Sequence, residues 1–253
     1  MLSLINYIKS ENYRILHSKG FYIYTIICNL LIILAAITLM YFDKTTNKFP
    51  YGNAKFFYSN VISAGLIIIV IGIAFNLLVN NKESQRLVKD SISFDISLYI
   101  IFIGKFLIYI CYFFIMCLIS LISTIVLGLT IFNTDIQSLN QFLISLLNMA
   151  PIIFGGLALG HTLNSFKING AIVVIFTSIL YYYSSTLFKL LTLLSNKFEP
   201  LYKNSPTNLF YTNLNKYLDT SNQFAYQNWI IGIILGTIFL VIGCLIFSKK
   251  EFK

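Results

Sequence analysis

The sequence predicts an all-α membrane protein: six transmembrane helices, an N-terminal interfacial helix, and an extracellular or re-entrant helical segment between spans five and six. Three observations carry this prediction. Of the 253 residues, 57% are hydrophobic and 11% charged, whereas a water-covered domain has about a quarter of its residues charged. Six apolar stretches approach the roughly 20 residues that cross a hydrocarbon core about 30 Å thick. The Lys and Arg residues between them are unevenly divided.

Residues 1–20 place Leu4, Ile5, Ile8, Ile15 and Leu16 on one helical face and Ser3, Asn6, Ser10, Arg14 and His17 on the other. That is the pattern of a helix lying in the interface, with its apolar stripe interrupted at Glu11 and Asn12. The first span covers 21–42, too long for a signal-peptide core, and is read as retained. A loop of 43–57 leads to span two, 58–79, with Asn76 near its end. The polar stretch 80–97 follows.

The apolar run Leu98–Phe132 is too long for one crossing and contains Lys105. A Lys at mid-bilayer costs about 2.5–3.5 kcal/mol on insertion scales. Lys105 is therefore expected to snorkel at the interface, with span three over 105–132 and Leu98–Gly104 as an interfacial approach. Span four, 142–163, holds Pro151 and Gly155, Gly156 and Gly160. Span five, 170–188, carries Tyr181, Tyr182 and Tyr183 toward its outer end, where an aromatic belt belongs. Between 189 and 228, Ser205 and Pro206 fit an N-cap and first helical position, and Phe210, Leu214, Tyr217 and Leu218 follow at helical spacing, which predicts a short amphipathic helix. Span six, 229–247, ends in the basic tail 249–253.

Eleven of the eighteen Lys and Arg residues fall on the side of the N-terminus, and cytoplasmic loops are enriched in these residues, so both termini are expected inside. The net charge of +9 is scattered among spans, which fits anionic lipid headgroups and not nucleic acid.

Reactive chemistry is sparse. The nine acids lie in loops or at span ends, and the only histidines are His17 and His161. His161 is expected to be a polar contact between helices. Cys28, Cys111, Cys117 and Cys244 all sit in apolar runs and read as inert thiols. No Gly-rich phosphate loop is present; the nearest approach, Gly104-Lys105-Phe106, lacks the upstream Gly and the hydroxyl. The chain is thus expected to be no enzyme, with no catalytic or metal-ligating residues. Gly156 with Gly160, and Gly232 with Gly236, have the spacing that lets helices approach closely or flex.

Over its whole length this layout resembles the permease subunit of a type-two ABC exporter. After span two such permeases carry an acid, a Gly-Thr pair, a Ser-Arg pair and a Lys opening span three. Glu83, Ile92, Ser93, Gly104 and Lys105 match, while the Gly-Thr pair is missing and Phe94 stands where the Arg would be. The small size and minimal loops look most like the permeases of lantibiotic immunity and staphylococcal phenol-soluble modulin export. The resemblance implies a bacterial cell membrane protein driven by a separate cytoplasmic ABC ATPase that binds ATP and Mg, and paired with a second permease subunit, identical or related. It implies an ATPase-coupling segment at Glu83, Arg86, Leu87, Ile92, Ser93, Phe94 and Lys105, and an extracellular gate at Phe210, Leu214, Tyr217 and Leu218. No cofactor would be bound by this chain, and its substrate would be an amphipathic or antimicrobial peptide. An ATP-independent channel or facilitator, or an ABC permease for a drug or lipid, remains the alternative.

Overall fold

The computed structural model describes residues 2–46, 49–132, 134–166 and 168–249. Lys48, Lys167, Lys250 and Lys253, which enter the charge count above, lie outside the described residues. Among the described residues eleven α-helices follow in order: α1 Leu2–Leu16, α2 Lys19–Thr45, α3 Ala54–Ser63, α4 Gly65–Val79, α5 Lys82–Ser93, α6 Leu98–Ile131, α7 Ile136–Ser165, α8 Gly170–Leu194, α9 Glu199–Lys203, α10 Pro206–Leu218 and α11 Tyr226–Ser248. A 3-10 turn at Asn196–Phe198 joins α8 to α9. Among the described residues there is no strand.

Among the described residues five helices (α2, α6, α7, α8 and α11) are long and apolar enough to cross a membrane, and α3 with α4 makes a sixth if the bent pair counts as one span. This is a multi-pass membrane architecture. The predicted second span is broken: α3 and α4 meet at a 53° bend. Its first half begins early because Asn53 caps α3, its Oδ1 accepting the Phe56 N–H at 2.8 Å. The fifth span also runs on, to Leu194.

The expectation for the third span needs correction. Leu98–Ile131 is one continuous helix of 34 residues, about 50 Å at 1.5 Å per residue. Leu98–Gly104 is its opening, not a separate approach. Lys105 does not snorkel to a headgroup either, being only 9% exposed within protein. Neighbouring helices supply it with hydrogen-bond acceptors, so the ammonium need not reach water.

Helix α7 is the centre of the bundle, and small residues set how close its neighbours come. A Cβ on Gly232 of α11 would overlap the carbonyl of Pro151, and one on Gly236 would strike the Phe154 ring. On another side of α7, Gly156 seats Ile69 and Gly160 seats Ile73 of α4. Both glycine pairs are therefore packing contacts. Phe75, Tyr109, Phe113, Met116, Leu157 and Ala158 fill the core between α4, α6 and α7. Helix α2 instead leaves Ile23, Ile26, Ile27, Leu30, Leu31 and Leu34 exposed, as a helix facing lipid does.

Two helices end in left-handed residues that are not glycine. Asp95 has φ 58° and Thr220 has φ 54°. After α5 the Asp95 N–H bonds the Ile92 carbonyl and the Ile96 N–H bonds that of Ser91; after α10 Thr220 bonds Tyr217 and Ser221 bonds Lys216. Both are Schellman closures, which satisfy the last carbonyls and turn the chain sharply.

Candidate functional site

The first candidate lies where α1, α4, α5, α6 and α7 converge. Helix α5 starts at a cap in which Asn81 Oδ1 accepts the Ser84 N–H at 3.0 Å. Its four-residue spacing turns Ser84, Val88 and Ile92 inward. Ser84 and Val88 are buried, and Ile92 packs on a cluster that includes Tyr7, Ile101, Phe102 and Phe247. Arg86, Lys89, Asp90, Ser93 and Phe94 face out. Phe94, the residue after the helix, is 81% exposed.

Beneath α5 runs a polar network. The Lys105 ammonium donates to Ser84 Oγ at 2.6 Å and to Asn80 Oδ1 at 3.2 Å. Ser84 Oγ donates to Glu11 Oε1 at 3.4 Å, and the Tyr7 hydroxyl donates to the same oxygen at 3.0 Å. Arg14 clamps the other carboxylate oxygen through Nε and Nη2 at 2.9 and 2.6 Å. Its Nη2 also reaches the Val79 carbonyl, at the end of α4, at 2.7 Å. Such a charge-assisted fork is the strongest kind of protein hydrogen bond. Burial, and then the Glu11 charge, push the Tyr7 phenol well above its usual pKa, so it stays a donor.

The network continues inward. Asn80 Nδ2 donates to Asn76 Oδ1 at 3.0 Å, as does Asn164 Nδ2 at 2.9 Å. Asn76 Nδ2 lies 3.1 Å from His161 Nδ1, and His161 Nε2 lies 3.3 Å from the Phe102 carbonyl. An amide nitrogen can only donate, so Nδ1 accepts and Nε2 carries the proton. His161 is thus the interhelical contact expected of it, joining α4, α6 and α7.

Among the described residues no group of His, Cys, Asp and Glu could hold a metal ion. The network ties five helices into one end of the bundle.

Of the residues expected to couple to an ATPase, Arg86, Ser93 and Phe94 are exposed, Leu87 and Ile92 are partly buried and Lys105 is buried. Glu83 lies on α5, and its side chain is outside what is described. The sequence missed Glu11: it reads as a break in the apolar stripe of α1 and is the buried acid around which Arg14, Tyr7 and Ser84 gather. Its pairing with Arg14 three residues on was the available signal.

At the opposite end, α10 packs across the broken span. Ser205 and Pro206 do open α10, although the Ser205 hydroxyl donates to the Tyr202 carbonyl instead of capping the helix. The Phe210 ring lies against Gly65, at the α3–α4 bend. Tyr217 is fully buried and its hydroxyl donates to the Lys55 carbonyl at 3.3 Å. Leu214 packs on the cluster holding Tyr58 and Phe142. Leu218 is exposed and does not join these three.

A second polar cluster went unread in the sequence. Asn148 of α7 donates through Nδ2 to Asn222 Oδ1 at 3.1 Å and to the Gln223 carbonyl at 2.8 Å, and its Oδ1 accepts the Ala225 N–H at 2.8 Å. Asn213 Nδ2 donates to the Ser145 carbonyl, and Asn228 Nδ2 to that of Asn148, each at 3.0 Å. Ser145 and Asn148, polar residues three apart within an apolar span, were its signal.

No family model matches the chain, and no curated protein matches it.

Proposed function

We propose that this chain is the membrane subunit of an ATP-driven exporter, moved by a separate ATPase that docks on α5 from the cytoplasm. The observation that carries the reading is the outer face of α5. It offers an exposed aromatic, Phe94, beside Arg86, Lys89 and Asp90, while its inner face is fastened to α6 through Ser84 and Lys105. Force applied to such a helix passes into spans two and three without bending the helix itself. The moderate excess of basic residues at this end supports a cytoplasmic assignment, with six crossings and both termini inside.

The substrate class follows from the same economy of charge. The middles of the spans carry no carboxylate, which suits an amphipathic or antimicrobial peptide leaving the membrane better than an ion. Two such chains, identical or related, would form the path between them.

The test is to purify the chain with the ABC ATPase encoded beside its gene. A stable complex whose ATP hydrolysis falls when Phe94→Ala or Arg86→Ala is introduced supports the reading, since both side chains are on the surface and outside the core. Absence of a complex, or hydrolysis indifferent to both changes, removes it in favour of an ATP-independent channel or facilitator.

A further inference from the structure

We infer that the cavity between α7, α10 and the segment 219–225 is a binding site for a phosphate-bearing head group of the kind anionic lipids carry. The backbone of this segment is the first reason. It has no helical structure, yet Gln223 and Ala225 bond to Asn148, the thirteenth residue of α7 and about 18 Å along that helix. Irregular backbone inside a membrane protein's bundle is tolerated where it is buried in protein or lines a polar cavity. Here it does both.

The cavity holds about 240 Å³. That is below the ~300–1,000 Å³ of pockets for drug-sized ligands, so it admits a head group and excludes a helical peptide. Its lining includes Asn208, Asn213, Asn222 and Asn228, with Lys203 and Lys216, and no carboxylate. The amide nitrogens of these Asn residues are held by protein acceptors and shape the wall, so the ammonium groups are what the cavity offers a phosphate. Lys203 is already engaged, its Nζ lying 2.7 Å from Glu199 Oε1. Lys216 has no ion-pair partner among the described residues and is the cation left for the phosphate. Phe224 and Tyr226 flank Ala225 on the surface, exposed aromatics of the sort that sit at headgroup level.

The site does not depend on the exporter reading, since it needs no ATPase. The full chain would be placed in nanodiscs of phosphatidylcholine alone or with phosphatidylglycerol, and retained lipid counted by native mass spectrometry. The wild type retains phosphatidylglycerol preferentially. Lys216→Met lowers that retention about fivefold, the effect of one lysine near an anionic head group, and Lys216→Arg restores it. Lys189→Met, a change of equal charge on α8 outside the cavity, leaves it unchanged. Inorganic phosphate that displaces the lipid only when Lys216 is intact supports the site and identifies phosphate itself as the shared chemistry. Equal loss in Lys189→Met and Lys216→Met, or no preference for phosphatidylglycerol, overturns the inference.

Discussion

The Lys105 ammonium and the Ser84 hydroxyl meet at 2.6 Å, joining the first turns of a long apolar helix to the inner face of α5. A hydrogen bond to a charged group contributes about 1.5–3 kcal/mol. Lys105→Met keeps the length of the side chain and removes its donors. Amides of residues 84–92 are then expected to exchange hydrogen at least about tenfold faster while those of α7 hold their rates. Unchanged exchange in α5 would show that the link carries no load.

Glu11 and Arg14 form a buried pair, with side chains 2% and 12% exposed. Breaking a buried pair by removing one partner costs about 3–5 kcal/mol, because the remaining charge is stranded. Glu11→Gln and Arg14→Met should each destabilise on that scale, and the double variant by at least about 1 kcal/mol less than their sum. Denaturant unfolding in micelles measures the cycle, and strict additivity would deny the coupling.

Two glycine substitutions separate a rigid contact from a yielding one. In Gly232→Ala the new methyl meets the Pro151 backbone, which cannot move aside, so a loss of about 3 kcal/mol is expected. In Gly20→Ala it meets the tip of Leu78 at 2.9 Å, which can rotate, and the alanine gains up to about 1 kcal/mol in helix propensity. Thermal midpoints of the two variants should therefore move by very different amounts, and similar losses would contradict the packing at α7.

Thr220 is a β-branched residue held at φ 54°. The left-handed conformation costs an L-residue roughly 1–2 kcal/mol, and the greater freedom of an unfolded glycine offsets part of the relief. Thr220→Gly is expected to stabilise by about 1 kcal/mol in denaturant titration. Asp95→Gly should gain less, because Asp tolerates this region better. A destabilised Thr220→Gly would mean that the threonine side chain contributes more than its strain removes.

Tyr7 gives a pH dependence. Its folded pKa is raised by burial and by Glu11, while an unfolded tyrosine titrates near about 10. Above that pH the unfolded state binds fewer protons than the folded one, so the Tyr7 contribution is present below it and is lost as pH rises. Tyr7→Phe should lose stability less steeply than the wild type above about pH 10. Equal slopes from pH 9 to 11 would show that the phenol is not held neutral.

Much of the helical plan was legible because lipid demands long apolar runs, and such runs are visible one residue at a time. The same is true of α10, whose Ser205-Pro206 start and four-residue spacing are local patterns. The ends of α5 and α10 were not legible, since a left-handed Asp or Thr carries none of the signal that glycine would. The bend after Ser63 falls where Ser59, Asn60, Ser63 and Gly65 break the apolar run, but no proline marks it.

The candidate sites divide in the same way. The helix α5 was implied only by the family resemblance of a polar stretch, and the role of Glu11 needs Ser84 to come 73 residues along the chain to meet it. Likewise Asn148 finds Asn222 across 74 residues. Sequence alone determined that this chain has the spans of a membrane protein and few reactive groups within them, because the bilayer acts on each segment separately. Tertiary structure decided where Lys105 goes, which groups gather on Glu11 and how an unwound segment enters the bundle, because a buried polar group is stable only when partners surround it, many of them from distant segments.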